Sequence, residues 1–178
     1  GDHRDLHSFP TRRSSDLPRI LSFLVSMMLV GVAEEFVFRG VVAQTLLEHY
    51  GTSRGGIWKA CLVSGVLFGA AHLTNLLGSA PFGVLMQCLF AASMGRLRAA
   101  IYFRTGNIWV TVFLHGMMDI SSMIIGGMYG TVTMAESVSS YDSSMLISVA
   151  VYLIPMLFLL RRKKLPEVQL YWNAYAKK

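Results

Sequence analysis

The stretch Val30-Gly-Val-Ala-Glu-Glu-Phe-Val-Phe-Arg39 decides how this chain is read. It continues an apolar run, Ile20–Leu29, and passes into Gly40–Leu47 with little further polarity. Glu34 and Glu35 are adjacent, and Arg39 lies four residues beyond the second. At bilayer depth each such charge costs roughly 2.5–3.5 kcal/mol, so the three oppose insertion by about 8–10 kcal/mol before any pairing. A membrane helix that keeps them uses them for chemistry or transport.

The rest of the composition agrees with a membrane setting. Of 178 residues, 53% are hydrophobic and only 15% charged, the profile of a polytopic membrane protein rather than a soluble domain. Five apolar segments are long enough for a hydrocarbon core of about 30 Å at ~1.5 Å per residue. They lie near Ile20–Leu47, Ile57–Leu77, Phe82–Phe103, Asn107–Met128 and Ser144–Leu160. The expected fold is an all-α transmembrane bundle of about five helices, without internal repeat. Residues 18–164 form the membrane domain and 165–178 a cytoplasmic tail. His7–Leu17 resembles a translated sequencing adapter, so residues 1–17 are read as a non-native, disordered segment. The natural chain is accordingly expected to start earlier, with N-terminal helices missing here. Cys61 and Cys88 both lie in apolar runs, which implies small apolar fillers and no disulfide framework.

Charge placement predicts orientation. The net charge of +6 is gathered at segment ends and in Arg161-Arg162-Lys163-Lys164, which disfavours nucleic acid as a partner. Arg54 and Lys59 flank the first connection, and Arg96, Arg98 and Arg104 flank the third. The second connection and Tyr129–Ser143 carry no Lys or Arg. This alternation puts the first and third connections and the C-terminus in the cytoplasm, with the basic residues acting as topological anchors. His49, beside Tyr50 at a helix end, reads as interfacial.

Three segments carry ionisable residues in their interiors: Glu34-Glu35-x-x-x-Arg39, Phe68-x-x-x-His72 and His115-x-x-x-Asp119. Each spacing of four keeps its pair on one helix face. Measured from the cytoplasmic ends, Glu34 and His72 fall roughly 20 Å deep, Asp119 about 18 Å and His115 about 12 Å. The three helices thus bring their polar groups to one layer.

In this order on successive helices, the motifs resemble the CAAX protease and bacteriocin-processing (CPBP, Abi or self-immunity) family of intramembrane endopeptidases. The resemblance covers about Leu21 to Ile125. It implies hydrolysis of a peptide bond in a membrane-anchored peptide or protein, such as a CAAX-type tail or a leader or bacteriocin peptide. It also implies that Glu34 activates the water while His115 and the residue at 119 hold the oxyanion. The small size and self-immunity-like pattern suggest a bacterial plasma membrane.

The residues support that chemistry independently. Peptide hydrolysis needs a water, a base and donors for the oxyanion. Glu34 is the candidate base, His72 can orient the same water, and a Glu35–Arg39 ion pair leaves Glu34 free. Asp119 fits less simply, because an ionised carboxylate cannot donate to an oxyanion. It is protonated, or it orients His115, or it helps hold a metal. A Zn2+ site with an open position, formed by Glu34, His72 and His115, is a second form of the reaction. The metal-free form is preferred. Other readings of the same residues are a proton- or cation-coupled transporter, a non-catalytic immunity or scaffold protein, and an ion-pair cluster that only tightens helix packing.

Overall fold

A computed structural model of the chain describes residues 16–129 and 131–175. Most of the adapter-like segment therefore lies outside the described residues, and its last two positions open the first helix. The long first stretch is continuous: α1 (Asp16–Glu35) runs through a wide π-helical segment, Phe36–Ala43, into α2 (Gln44–Tyr50). Ser53 caps α3 (Arg54–Ala71) by accepting from the Gly56 amide at 3.1 Å. At His72 this helix tightens into a 3-10 turn, His72–Leu77. Pro81 opens α4 (Pro81–Thr105), which ends on Gly106 in the left-handed region at φ 62°. Next come α5 (Ile108–Tyr129), a short α6 (Met134–Ser139) with a Thr133–Glu136 capping box, α7 (Met145–Leu159) and α8 (Leu165–Tyr175).

The fold is the all-α membrane bundle expected, with element bounds close to the apolar segments. Leu17–Tyr50, Arg54–Leu77 and Pro81–Thr105 are long and apolar enough to cross a membrane, while Ile108–Ile124 and Met145–Leu159 are apolar but shorter. The fifth expected span is thus less than a full crossing: 15 residues at ~1.5 Å each fall short of a core of about 30 Å. Side chains such as Leu21, Val25, Leu29, Val37 and Val41 are exposed on the first stretch, as a lipid-facing surface requires.

Helix α4 is the centre of the bundle, packing against α3, α5, α6, α7 and α8. A buried cluster at one end joins Leu47, Ile57, Phe103, Met156 and Leu160 to Leu165, Val168 and Trp172. Within the segment read as a cytoplasmic tail, residues Leu165–Tyr175 are therefore a helix docked on that cluster. The Trp172 indole donates to the Phe103 carbonyl at 2.9 Å, and Gln169 donates to the Thr52 carbonyl at 2.9 Å. The first connection, the third connection and the C-terminal helix thus share one end of the molecule.

Two close crossings position the interior. On α3 and α4, a Cβ on Gly95 would sit 3.1 Å from the Gly65 Cα. On α1 and α5, a Cβ on Gly31 would sit 3.0 Å from the Gly116 nitrogen and 3.1 Å from the Val112 carbonyl oxygen. With lipid outside, helix association depends on such backbone proximity rather than on expulsion of water. The second crossing sets Glu34 and Glu35 against His115. Gly31→Leu is expected to push α5 outward and destabilise the fold by about 1–3 kcal/mol. Thermal unfolding in detergent checks this, with Gly55→Ala as a control, since a Cβ there meets nothing within 4 Å.

Candidate active site

Glu35 is fully buried and engages three helices. Its Oε2 lies 3.0 Å from Arg39 Nε, one turn along its own helical stretch. Its Oε1 lies 3.2 Å from Arg98 Nε on α4 and 2.8 Å from His115 Nδ1 on α5. An ionised carboxylate only accepts, so His115 Nδ1 carries the proton of that bond. Arg39 Nη2 also donates to the Gly95 carbonyl at 2.9 Å. The expected Glu35–Arg39 pair is thus present, inside a larger network.

Arg98 requires a correction. Read as a topological anchor of the third connection, it is buried at 2% exposure and paired with Glu35. It lies about 10 Å inside α4 from Thr105, too deep to serve as an anchor at a water-facing end. Arg104, near the end of α4, donates to the Lys164 carbonyl and pairs with Glu167 at 2.7 Å. His49 packs edge-on against Tyr50 at the end of α2.

Phe68 joins the network from α3. Its ring centroid lies 4.8 Å from the Arg39 guanidinium carbon and 4.6 Å from that of Arg98. The same ring meets His72 edge-on at 5.1 Å and His115 at 5.7 Å. His72 stands where α3 ends, and its Nδ1 donates to the Phe68 carbonyl at 2.9 Å. That bond fixes the neutral ring's tautomer and leaves Nε2 as the acceptor.

Glu34 differs from its neighbour. Its side chain is 35% exposed and borders a cavity of about 550 Å³. Its Oε2 has no hydrogen-bond partner and lies 3.6 Å from His115 Nε2. Asp119 Oδ2 approaches the same nitrogen at 3.6 Å. His72, Arg98, His115 and Asp119 border the cavity together with Glu34. Of the residues singled out from sequence, Glu34, His72, His115 and Asp119 thus meet at one cavity, and Glu35 and Arg39 lie buried behind it. Asn75 and Gln87, which no motif marked, also line it, with Asn75 Nδ2 donating to Gln87 Oε1 at 2.7 Å.

Glu34, His72 and His115 are the residues named above for a zinc form of the reaction. Among the described residues, no three of His, Cys, Asp and Glu gather closely enough to hold a metal ion. His115 Nδ1 and His72 Nδ1 are both committed to protein acceptors, which leaves the Nε2 of each ring outside those bonds.

The chain is similar to known proteins over more than half of its length. Residues 16–121 match the family described as "Type II CAAX prenyl endopeptidase Rce1-like". The chain is also 30% identical over 105 residues to the "Putative membrane peptidase YdiL" of Bacillus subtilis (strain 168). That alignment takes in 59% of this chain but only 37% of the relative's length. No solved structure matches the chain. The family match covers more than half of the sequence and all three motifs, so this integral membrane chain belongs to the Rce1-like family of type II CAAX prenyl endopeptidases.

Proposed function

We propose that this protein is an intramembrane endopeptidase that hydrolyses a peptide bond of a membrane-associated protein or peptide through a Glu34-activated water. The substrate is a CAAX-type tail or a leader-type or bacteriocin peptide. The observation that carries the reading is the unequal fate of two adjacent carboxylates. Glu35 is spent on three cationic or donor partners, whereas Glu34 opens on the cavity with one oxygen unpartnered.

Glu34 takes a proton from water, and the resulting hydroxide attacks the scissile carbonyl carbon. The carbonyl π pair moves to oxygen, where His115 supplies the adjacent donor when Nε2 is protonated. Collapse of the tetrahedral intermediate breaks the C–N bond. Glu34 returns its proton to the leaving nitrogen. His72 presents an acceptor nitrogen to the water and so helps orient it. Met27, Val30, Phe38, Phe90 and Met94 give the cavity apolar walls suited to a peptide entering from lipid. The Asn75–Gln87 pair offers amide groups for its backbone. The shared end of the first connection, third connection and C-terminal helix supports the cytoplasmic placement of all three, in a bacterial plasma membrane.

Cleavage of quenched, membrane-anchored peptides by the full-length protein in detergent tests the reading. Glu34→Gln is expected to lower kcat about 10²–10⁴-fold with KM little changed. A chelator is expected to leave the rate unaltered, and chelator-sensitive activity restored by zinc would overturn the metal-free route. Uptake of a solute without any cleavage would instead favour a transporter. Glu35→Gln acts differently, because it leaves buried guanidiniums without their carboxylate. It is expected to destabilise the protein by about 3–5 kcal/mol. Thermal unfolding separates the two carboxylates, since Glu34→Gln is expected to barely move the midpoint.

A further inference from the structure

The hydrolysis set out above uses Glu34, His72 and His115 and leaves Arg98 unassigned. The Arg98 side chain is 3% exposed and borders the cavity, and neither Nη atom has a hydrogen-bond partner. Glu35 has Arg39 at 3.0 Å and His115 at 2.8 Å, and of Arg98 it engages Nε alone, at 3.2 Å. Arg98 shares its cavity with two carboxylates, Asp119 and Glu34. Asp119 is the group in need of the guanidinium charge. Its Oδ2 lies 3.6 Å from His115 Nε2, beside the place where negative charge develops on the substrate oxygen. When ionised it can only accept, so it opposes that charge where an amide would support it.

The charge inventory makes the point. Glu34, Glu35 and Asp119 face Arg39 and Arg98, an excess of one negative charge before His115 takes up the second proton that it needs to donate from Nε2. Without Arg98 the excess doubles, before the reaction adds another negative charge in a poorly solvated site. We propose that Arg98 is a positioning residue whose charge offsets Asp119, allowing His115 to meet the oxyanion in a site that carries a carboxylate at position 119. This rests on the hydrolytic reading above and adds a residue that its motifs do not contain.

The test is a double-mutant cycle of Arg98→Gln and Asp119→Asn in the full-length protein. Arg98→Gln alone is expected to lower kcat about 100-fold with KM changed less than about threefold. Adding Asp119→Asn is expected to recover at least about tenfold of that loss, because the charge that needed offsetting is gone. Effects that simply multiply would overturn the proposal. Melting curves of the same four proteins read the coupling without catalysis. The fall in Tm from Arg98→Gln should shrink when Asp119→Asn is also present, and an equal fall in both backgrounds counts against it. If the unaltered protein cleaves nothing, the hydrolytic reading fails, and the melting cycle still decides whether Arg98 offsets Asp119.

Discussion

The buried carboxylate of Glu35 is the constraint around which the membrane interior is built. A charge at zero exposure is tolerated only when opposite charges and donors surround it. Here they come from three directions: Arg39 along the same helical stretch, Arg98 from α4 and His115 from α5. Apolar packing alone distinguishes poorly between helix–helix and helix–lipid contact. A three-way polar junction distinguishes sharply, because sliding any one helix by a turn would strand a charge. The Gly31–Gly116 approach and the Glu35–His115 bond are therefore parts of one arrangement. The first lets the backbones come close, and the second selects the register.

That junction also explains why two identical side chains take different roles. Successive residues on an α-helix point about 100° apart. When Glu35 turns into the junction, Glu34 is carried round to the cavity. There it keeps 35% exposure and meets His115 only at 3.6 Å. His115 links the two carboxylates, with Nδ1 on Glu35 and Nε2 toward Glu34 and Asp119. The imidazole is thereby held in one orientation by Glu35, which lies buried behind the cavity. Such support behind a reacting group is the usual way a site keeps its geometry.

Much of this was legible in the sequence, for physical reasons. The four-residue spacings of Glu35 with Arg39, Phe68 with His72 and His115 with Asp119 map onto helix faces, and apolar length marks the helices. Arg98 was not legible. A basic residue near a helix end has the same local signature whether it anchors in headgroups or turns inward. Only the partner on another helix, Glu35, tells the two apart. The π-helical widening at Phe36–Ala43 was likewise invisible, since Phe-Val-Phe-Arg-Gly-Val-Val-Ala carries no helix-breaking proline. It directly follows Glu35 and contains Arg39, and such widened turns are frequent at functional sites. Asn75 and Gln87 escaped notice because they are twelve residues apart on separate elements, and no helical period connects them. The docking of α8 depends on Trp172 reaching Phe103, a contact across 69 positions that the basic run before it obscures.

Phe68 shows how a motif's apolar letter can matter as much as its charged ones. Two guanidinium carbons lie within 4.8 Å of its ring centroid, and both belong to cations that pair with Glu35. An aromatic face attracts cations through its quadrupole, most strongly where water is excluded. An aliphatic side chain of similar size would fill the space without that attraction. The backbone carbonyl of the same residue accepts from His72 one turn later, so one position sets both the packing of the arginines and the tautomer of a cavity histidine. The ring also borders the cavity itself, where it meets His72 edge-on. A phenylalanine four residues before a histidine is thus the piece that joins a tightly compensated junction to an open cavity edge within one helix layer.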